Sequence, residues 1–179
     1  MKGIIFNLLE ECVSNEFGEA TWDKLLDEAN LSGAYTSLGN YADVEIVALV
    51  DAASKALNLP PQDILRWFGQ SAIPLMAGRF SDFFNSQVET RSFLLTLNNV
   101  IHPEVHKLYP GANTPVFDFE ASDDGGLVIG YSSSRKLCAL AEGFIQGAAK
   151  HFNEKADITQ PQCMHEGASK CVFHVRFHQ

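Results

Sequence analysis

The spacing of apolar residues changes near residue 110, and that change constrains the fold more than any other feature of the sequence. Upstream, Ile4, Ile5, Leu8, Leu9, Cys12 and Val13 recur at three- and four-residue intervals, which sets them on one stripe of a helix. Trp22, Leu25, Leu26 and Ala29 repeat the pattern in a short second helix. Ile46, Val47, Leu49, Val50, Ala53 and Leu57 make a third, stopped by Asn58-Leu59-Pro60. Pro61 suits the first turn of a fourth helix through Ile64, Leu65 and Phe68, where its missing N–H has no partner to lose. Phe80, Phe83 and Phe84 line a short piece, and a longer helix runs through Phe93, Leu94, Leu97 and Ile101 until Pro103 ends or kinks it. Downstream the period becomes two. Residues 116–120 and 127–131 flank Asp123-Asp124-Gly125-Gly126, a hairpin signal, and 135–152 reads as helix. Two more strands, near 156–163 and 171–178, are joined by a turn at Glu166-Gly167. In the last of them Phe173, Val175 and Phe177 alternate with Val172, His174, Arg176 and His178, as in a strand with one buried face. The expected fold is α+β: a helical N-terminal lobe packed on a C-terminal four-stranded antiparallel sheet with a helix.

Composition narrows the function classes. A chain of 179 residues with 46 % hydrophobic and 20 % charged residues suits one domain that buries its core without staples. Lys+Arg 13 against Asp+Glu 22 gives a net charge of −9, which opposes attraction to phosphate backbones and anionic membranes, so neither nucleic acid nor membrane is an expected partner. No apolar run approaches the ~18 residues of a spanning helix. The start, Met1 to Phe6, meets Asn7, Glu10 and Glu11 too soon for an export signal, so the expected location is the cytoplasm. In that reducing setting cysteines bind metal or stay free more often than they pair.

Familiar catalytic patterns fail. His102-Pro103-Glu104-Val105-His106 puts proline where a zinc-protease helix needs glutamate. Ser132 lacks the second glycine of a nucleophile elbow, and Gly125-Gly126 precedes a strand rather than a phosphate-binding helix. What remains are two constellations. His102 ends an apolar helix, as a structural histidine or as a ligand. Tyr131, Ser133 and Arg135 point the same way in an extended segment, which suits a carboxylate-bearing ligand or caps the next helix. Separately, Cys163-x-His165 and Cys171 flank the last hairpin turn and Cys138 lies on the preceding helix, a set that matches a Cys₃His structural zinc site. Unmetallated thiols or a Cys163–Cys171 disulfide are the alternatives, and Cys12 reads as a packing residue.

Taken together the chain resembles the haem-nitric oxide/oxygen binding (H-NOX) family over essentially its whole length. The residues that carry the resemblance are Met1-Lys2-Gly3-Ile4-Ile5, Trp67-Phe68-Gly69, the run from Val100 through His102-Pro103-Glu104-Val105-His106 to Pro110, and Tyr131-x-Ser133-x-Arg135 followed by Ala141-Glu142-Gly143. The resemblance implies one haem-binding domain over 1–179, with a distal lobe over about 1–60, a proximal lobe over about 61–179, and haem b between them. It implies His102 as proximal iron ligand, Tyr131, Ser133 and Arg135 as propionate anchors, and Pro115 pressed against the macrocycle. Oxygen-binding members carry a tyrosine five residues after the propionate arginine; here Leu140 stands there, and Leu9 and Pro74 replace other polar partners. A distal wall of Ile5, Leu9, Leu140 and Phe144 therefore implies a sensor of nitric oxide, with carbon monoxide as a further ligand and no stable dioxygen complex. Such a domain is not an enzyme; the output is expected in trans, through a histidine kinase or a cyclic-di-GMP enzyme. Some relatives place the fourth zinc ligand where this chain has Gln160, which leaves His165 as the expected substitute. A zinc-thiolate redox sensor acting on the same kind of partner is the rival; a haem peroxidase is a weaker reading, because the distal positions of this chain lack an acid–base His/Arg pair.

Overall fold

The computed structural model describes residues 1–122 and 125–179. Asp123 and Asp124, half of the expected hairpin signal, lie outside the described residues. The chain runs α1 (Gly3–Phe17), α2 (Glu19–Ala29), α3 (Asp43–Leu57), α4 (Pro61–Arg79), α5 (Ser81–Asn85), α6 (Thr90–Leu95), a π turn (Leu97–Ile101) and α7 (His102–Leu108). After these come β1 (Val116–Ala121), β2 (Leu127–Ser132), α8 (Cys138–His151), β3 (Lys155–Gln162), a 3₁₀ turn (Met164–Glu166) and β4 (Cys171–His178). The four strands form one antiparallel sheet in the order β1-β2-β4-β3. Phe173 and Val175 point into the core and His174 and Arg176 out of it, as the alternation requires.

Three boundaries depart from the sequence reading, each for a local reason. The helix expected through Ile101 breaks at Thr96: Val100 and Ile101 both donate to the Thr96 carbonyl, a π turn. The helix then resumes, and Pro103 falls in the first turn of α7 instead of ending a helix. The last helix starts at Cys138 rather than 135, because Lys136 adopts a left-handed conformation (φ 52°) that closes a turn onto Ser133. The fourth helix continues to Arg79 past Pro74, which sits at an exposed position.

Two apolar cores result. One gathers Phe6, Leu8, Leu9, Cys12, Trp22, Ile46 and Leu49 from the first three helices; the other gathers Phe84, Phe93, Phe117, Ile129, Phe173 and Val175 around the sheet. Helices α4 and α8 contribute to both. They cross where each carries a glycine: a Cβ on Gly143 would lie 2.3 Å from the Arg66 carbonyl oxygen, and one on Gly69 2.6 Å from that of Leu140. Arg66 also pairs with Glu142 (2.7 Å) across the crossing. Among the described residues no helix is long and apolar enough to cross a membrane.

Candidate functional site

A cavity of about 270 Å³ lies between the two cores. Its walls are almost wholly apolar, supplied by Ile5 and Leu8 of α1, Ile73 and Met76 of α4, and Leu140 and Phe144 of α8. His102, Pro115, Tyr131, Ser133 and Arg135 line the same cavity, although they come from α7, the following loop, β2 and the turn before α8. Eight of the nine residues expected at a haem site are thus brought together. Leu9 is not among the lining residues: it is 3 % exposed in the distal core, and Leu8 takes its place in the wall. Helix phase explains the exchange, since α1 turns positions 4, 5 and 8 to the cavity and the next position toward Cys12 and Trp22. On α4, likewise, Ile73 faces in and Pro74 faces out.

His102 is half-buried, its ring 5.9 Å from that of Phe117. Burial, with a smaller push from His106, brings its pKa down to about 4, so the imidazole is neutral at physiological pH. Among the described residues no protein group hydrogen-bonds its ring nitrogens. A neutral imidazole with a free nitrogen, facing an apolar cavity, is a ready axial ligand for ferrous haem.

At the other end of the site the charge is one-sided. Arg135 donates from Nε to Asp43 Oδ1 (2.8 Å) and from Nη1 to the Asn113 carbonyl (2.6 Å). Asp43 also accepts from the Met1 ammonium (2.7 Å). Burial would raise the Asp43 carboxyl, but Arg135 and the ammonium outweigh it and hold it below its ordinary value. Met1, Lys2 and Arg135 all line the cavity, three cationic groups beside the single carboxylate of Asp43. Tyr131 hydrogen-bonds Ser133 and the Leu137 backbone, and burial raises its phenol. Excess positive charge with two hydroxyls at the edge of an apolar cavity is the donor set that two propionates require. The residues present therefore fit haem. Sequence reading assigned no role to Asp43 or Lys2: Asp43 opens α3 outside any motif, and Lys2, although it stands in the Met1-to-Ile5 run that carries the resemblance, finds its partners far along the chain.

The cysteines form a second group. The Sγ atoms of Cys138, Cys163 and Cys171 lie within 4.8 Å of one another, and all four cysteines are free. Cys138 and Cys163 are 3.9 Å apart, and the Met164 N–H donates to Cys171 Sγ at 3.2 Å. Burial raises the Cys138 thiol to about 12 in the absence of a cation. His165 is not in the group. The 3₁₀ turn directs its Nε2 to the Lys136 carbonyl at 2.7 Å, while Gln160 stands near enough to Cys138 to favour its thiolate. Cys12 lies apart in the distal core, its thiol also pushed by burial to about 12.

The haem-NO-binding family profile matches residues 2–160. An H-NOX protein from Shewanella oneidensis, solved in its Fe(II)NO state, is 35 % identical with a TM-score of 0.93, covering 100 % of both chains. An unliganded Fe(II) H-NOX protein from K. algicida is 27 % identical with a TM-score of 0.88, covering 100 % of this chain and 97 % of that one. The soluble guanylate cyclase gcy-32 of Caenorhabditis elegans is 25 % identical over 165 residues, 89 % of this chain. The chain spans about a quarter of that relative's length, 24 %. With the family match running through both cores and the cavity between them, this chain belongs to the haem-NO-binding, or H-NOX, family.

Proposed function

We propose that this domain is a haem-based nitric oxide sensor in which His102 holds the iron. The observation that carries the reading is a neutral imidazole facing an apolar cavity whose far end gathers cationic groups. Haem b, when bound, would supply a ferrous iron able to take a diatomic gas, and His102 would hold that iron. Tyr131, Ser133 and Arg135 would donate to the propionates, and Pro115 would bear on the macrocycle. Ile5, Leu140 and Phe144 offer no hydrogen bond on the gas side, which disfavours dioxygen; Leu9 packs behind that wall. The similar S. oneidensis protein has been solved with nitric oxide and, separately, with carbon monoxide, which supports both as ligands here.

Release of His102 would let α7 shift, since Asn98 ties the turn before it to Phe117 and His106 ties it only to its own following loop. That local change biases a surface read by a partner in trans, a histidine kinase or a cyclic-di-GMP enzyme. The reading places the protein in the cytoplasm and divides it into a distal lobe, 1–60, and a proximal lobe, 61–179. In it Cys138, Cys163 and Cys171 hold a structural zinc, with Gln160 or water in place of His165 as fourth ligand. The close thiol trio also supports a second reading, a zinc-thiolate redox sensor. Partner regulation that survives His102→Ala and is lost in Cys163→Ala would favour that second reading.

The deciding experiment is an absorption spectrum of the reduced protein. The expected result is a five-coordinate ferrous haem that shifts on adding nitric oxide and does not change in air. A colourless protein after haem-supplemented expression, or a stable ferrous-oxy spectrum, would overturn the assignment.

A further inference from the structure

We infer that Lys2 is an interlobe tie that holds the His102 helix in its resting position. Lysines rarely bury their ammonium groups, yet Lys2 is only 7 % exposed. Its backbone belongs to the distal side: Gly3 N–H donates to Gly39 (3.0 Å), Ile4 to Ser37 (3.1 Å), Tyr41 to Met1 (2.9 Å), and Lys2 itself bridges Asn40. Its Nζ donates to the Leu38 carbonyl in that same segment and, across the cavity edge, to the Pro110 carbonyl at 3.2 Å. Pro110 comes two residues after the last residue of α7, Leu108. Among the described residues no carboxylate lies within ion-pairing distance of Nζ, so carbonyl dipoles alone meet the charge.

The contact matters because α7 has so few others. Asn98 Nδ2 holds the near end, donating to the Phe117 carbonyl at 2.6 Å. His106, 3.1 Å from Thr114, only ties the helix to its own following loop. Lys2 therefore joins the residues just after α7 to the α1 lobe, and Arg135 ties the loop further on, through the Asn113 carbonyl and Asp43. Any outward shift of α7 that carries Pro110 with it must break this bond and leave a buried ammonium short of an acceptor. That cost sets the balance between held and released helix. Lys2 touches no iron ligand; it acts through α7 as a positioning residue. The inference rests on the haem-sensor reading for what drives the shift, but the tie is a property of the chain itself.

The test is hydrogen exchange on the whole protein, comparing wild type with Lys2→Met, which keeps the stem and loses the donors, and Lys2→Arg, which restores them. In the reduced haem-loaded state, Lys2→Met should speed exchange at 104–109 roughly ten-fold or more, leave α4 and α8 unchanged, and be reversed in Lys2→Arg. Unchanged exchange at 104–109, or an increase spread equally over α8, would overturn the proposal. Should Lys2→Met fail to fold, Lys2→Gln, too short to reach both carbonyls, gives the same comparison. A colourless wild type would sink the haem reading alone, and the same exchange pattern in the ligand-free protein would still decide the tie.

Discussion

Helices α8 and α7 both face the cavity, and they are held in opposite ways. Nine residues of α8 are buried, among them Cys138, Leu140, Gly143 and Ala148, and its glycines let α4 approach at backbone distance. On α7, His102, Val105 and Leu108 line the cavity and the opposite side meets solvent. Leu140 and Phe144 of the cavity wall thus stand on a helix packed at backbone distance, whereas α7, which carries His102, rests mainly on its cavity side. A sensor needs that asymmetry, because a frame that moved with the ligand would leave nothing for the ligand to move against.

The comparison is broken most forcefully at the crossing. In Gly143→Val the new Cβ would meet the Arg66 carbonyl oxygen at 2.3 Å and its carbonyl carbon at 2.9 Å, backbone atoms that give way only if the helices part. Urea unfolding should show a loss of about 3 kcal/mol or more. Val105→Ala on α7 should cost the ligand-free protein less than about 1 kcal/mol, because no packed core collapses around it. Equal losses at the two sites would show that α7 is as firmly seated as α8.

A gentler change on α8 leaves the frame standing and alters what it selects. Leu140→Tyr brings a phenolic hydroxyl to the cavity wall, and a net hydrogen bond of about 0.5–1.5 kcal/mol to bound dioxygen corresponds to a several-fold gain in affinity. Oxygen titration of the reduced variant is the check; a variant that still forms no oxygen complex would remove the apolar wall as the reason for the preference.

How much of this asymmetry the sequence carried depends on the length over which a pattern repeats. The helices and strands were legible because their apolar periods extend over many residues, and His102, Tyr131, Ser133 and Arg135 stand in a dense local motif. The misplacements are single-residue matters. Leu8 and Leu9 are chemically the same, so only helix phase assigns one to the cavity and the other to the core. His165 sits beside Cys163 in the chain, but a 3₁₀ turn sends its ring to Lys136. The roles of Asp43 and Lys2 were invisible because each works through a partner far along the chain, Arg135 and Pro110, and no local pattern encodes such pairs.

The smallest effect concerns how the frame is fastened at the propionate end, where Asp43 joins the start of α3 to the turn before α8. Burial favours the protonated acid, yet the hydrogen bonds from Arg135 and the Met1 ammonium prevail and hold the carboxyl below its ordinary value. A depressed carboxyl stabilises the fold above the pKa of the unfolded chain, about 3.9, because there the native ion pairs are intact. As pH falls below that value the unfolded chain takes up its proton first, and the contribution is lost by the time the native carboxyl titrates as well. Asp43→Asn should therefore cost under about 1 kcal/mol at pH 7, as expected for a half-exposed pair, and should lessen the decline in stability between about pH 5 and 3. Urea midpoints for wild type and variant across that interval make the comparison. Parallel acid declines would mean that Asp43 is not held low, and that the join between α3 and the turn before α8 does not depend on its charge.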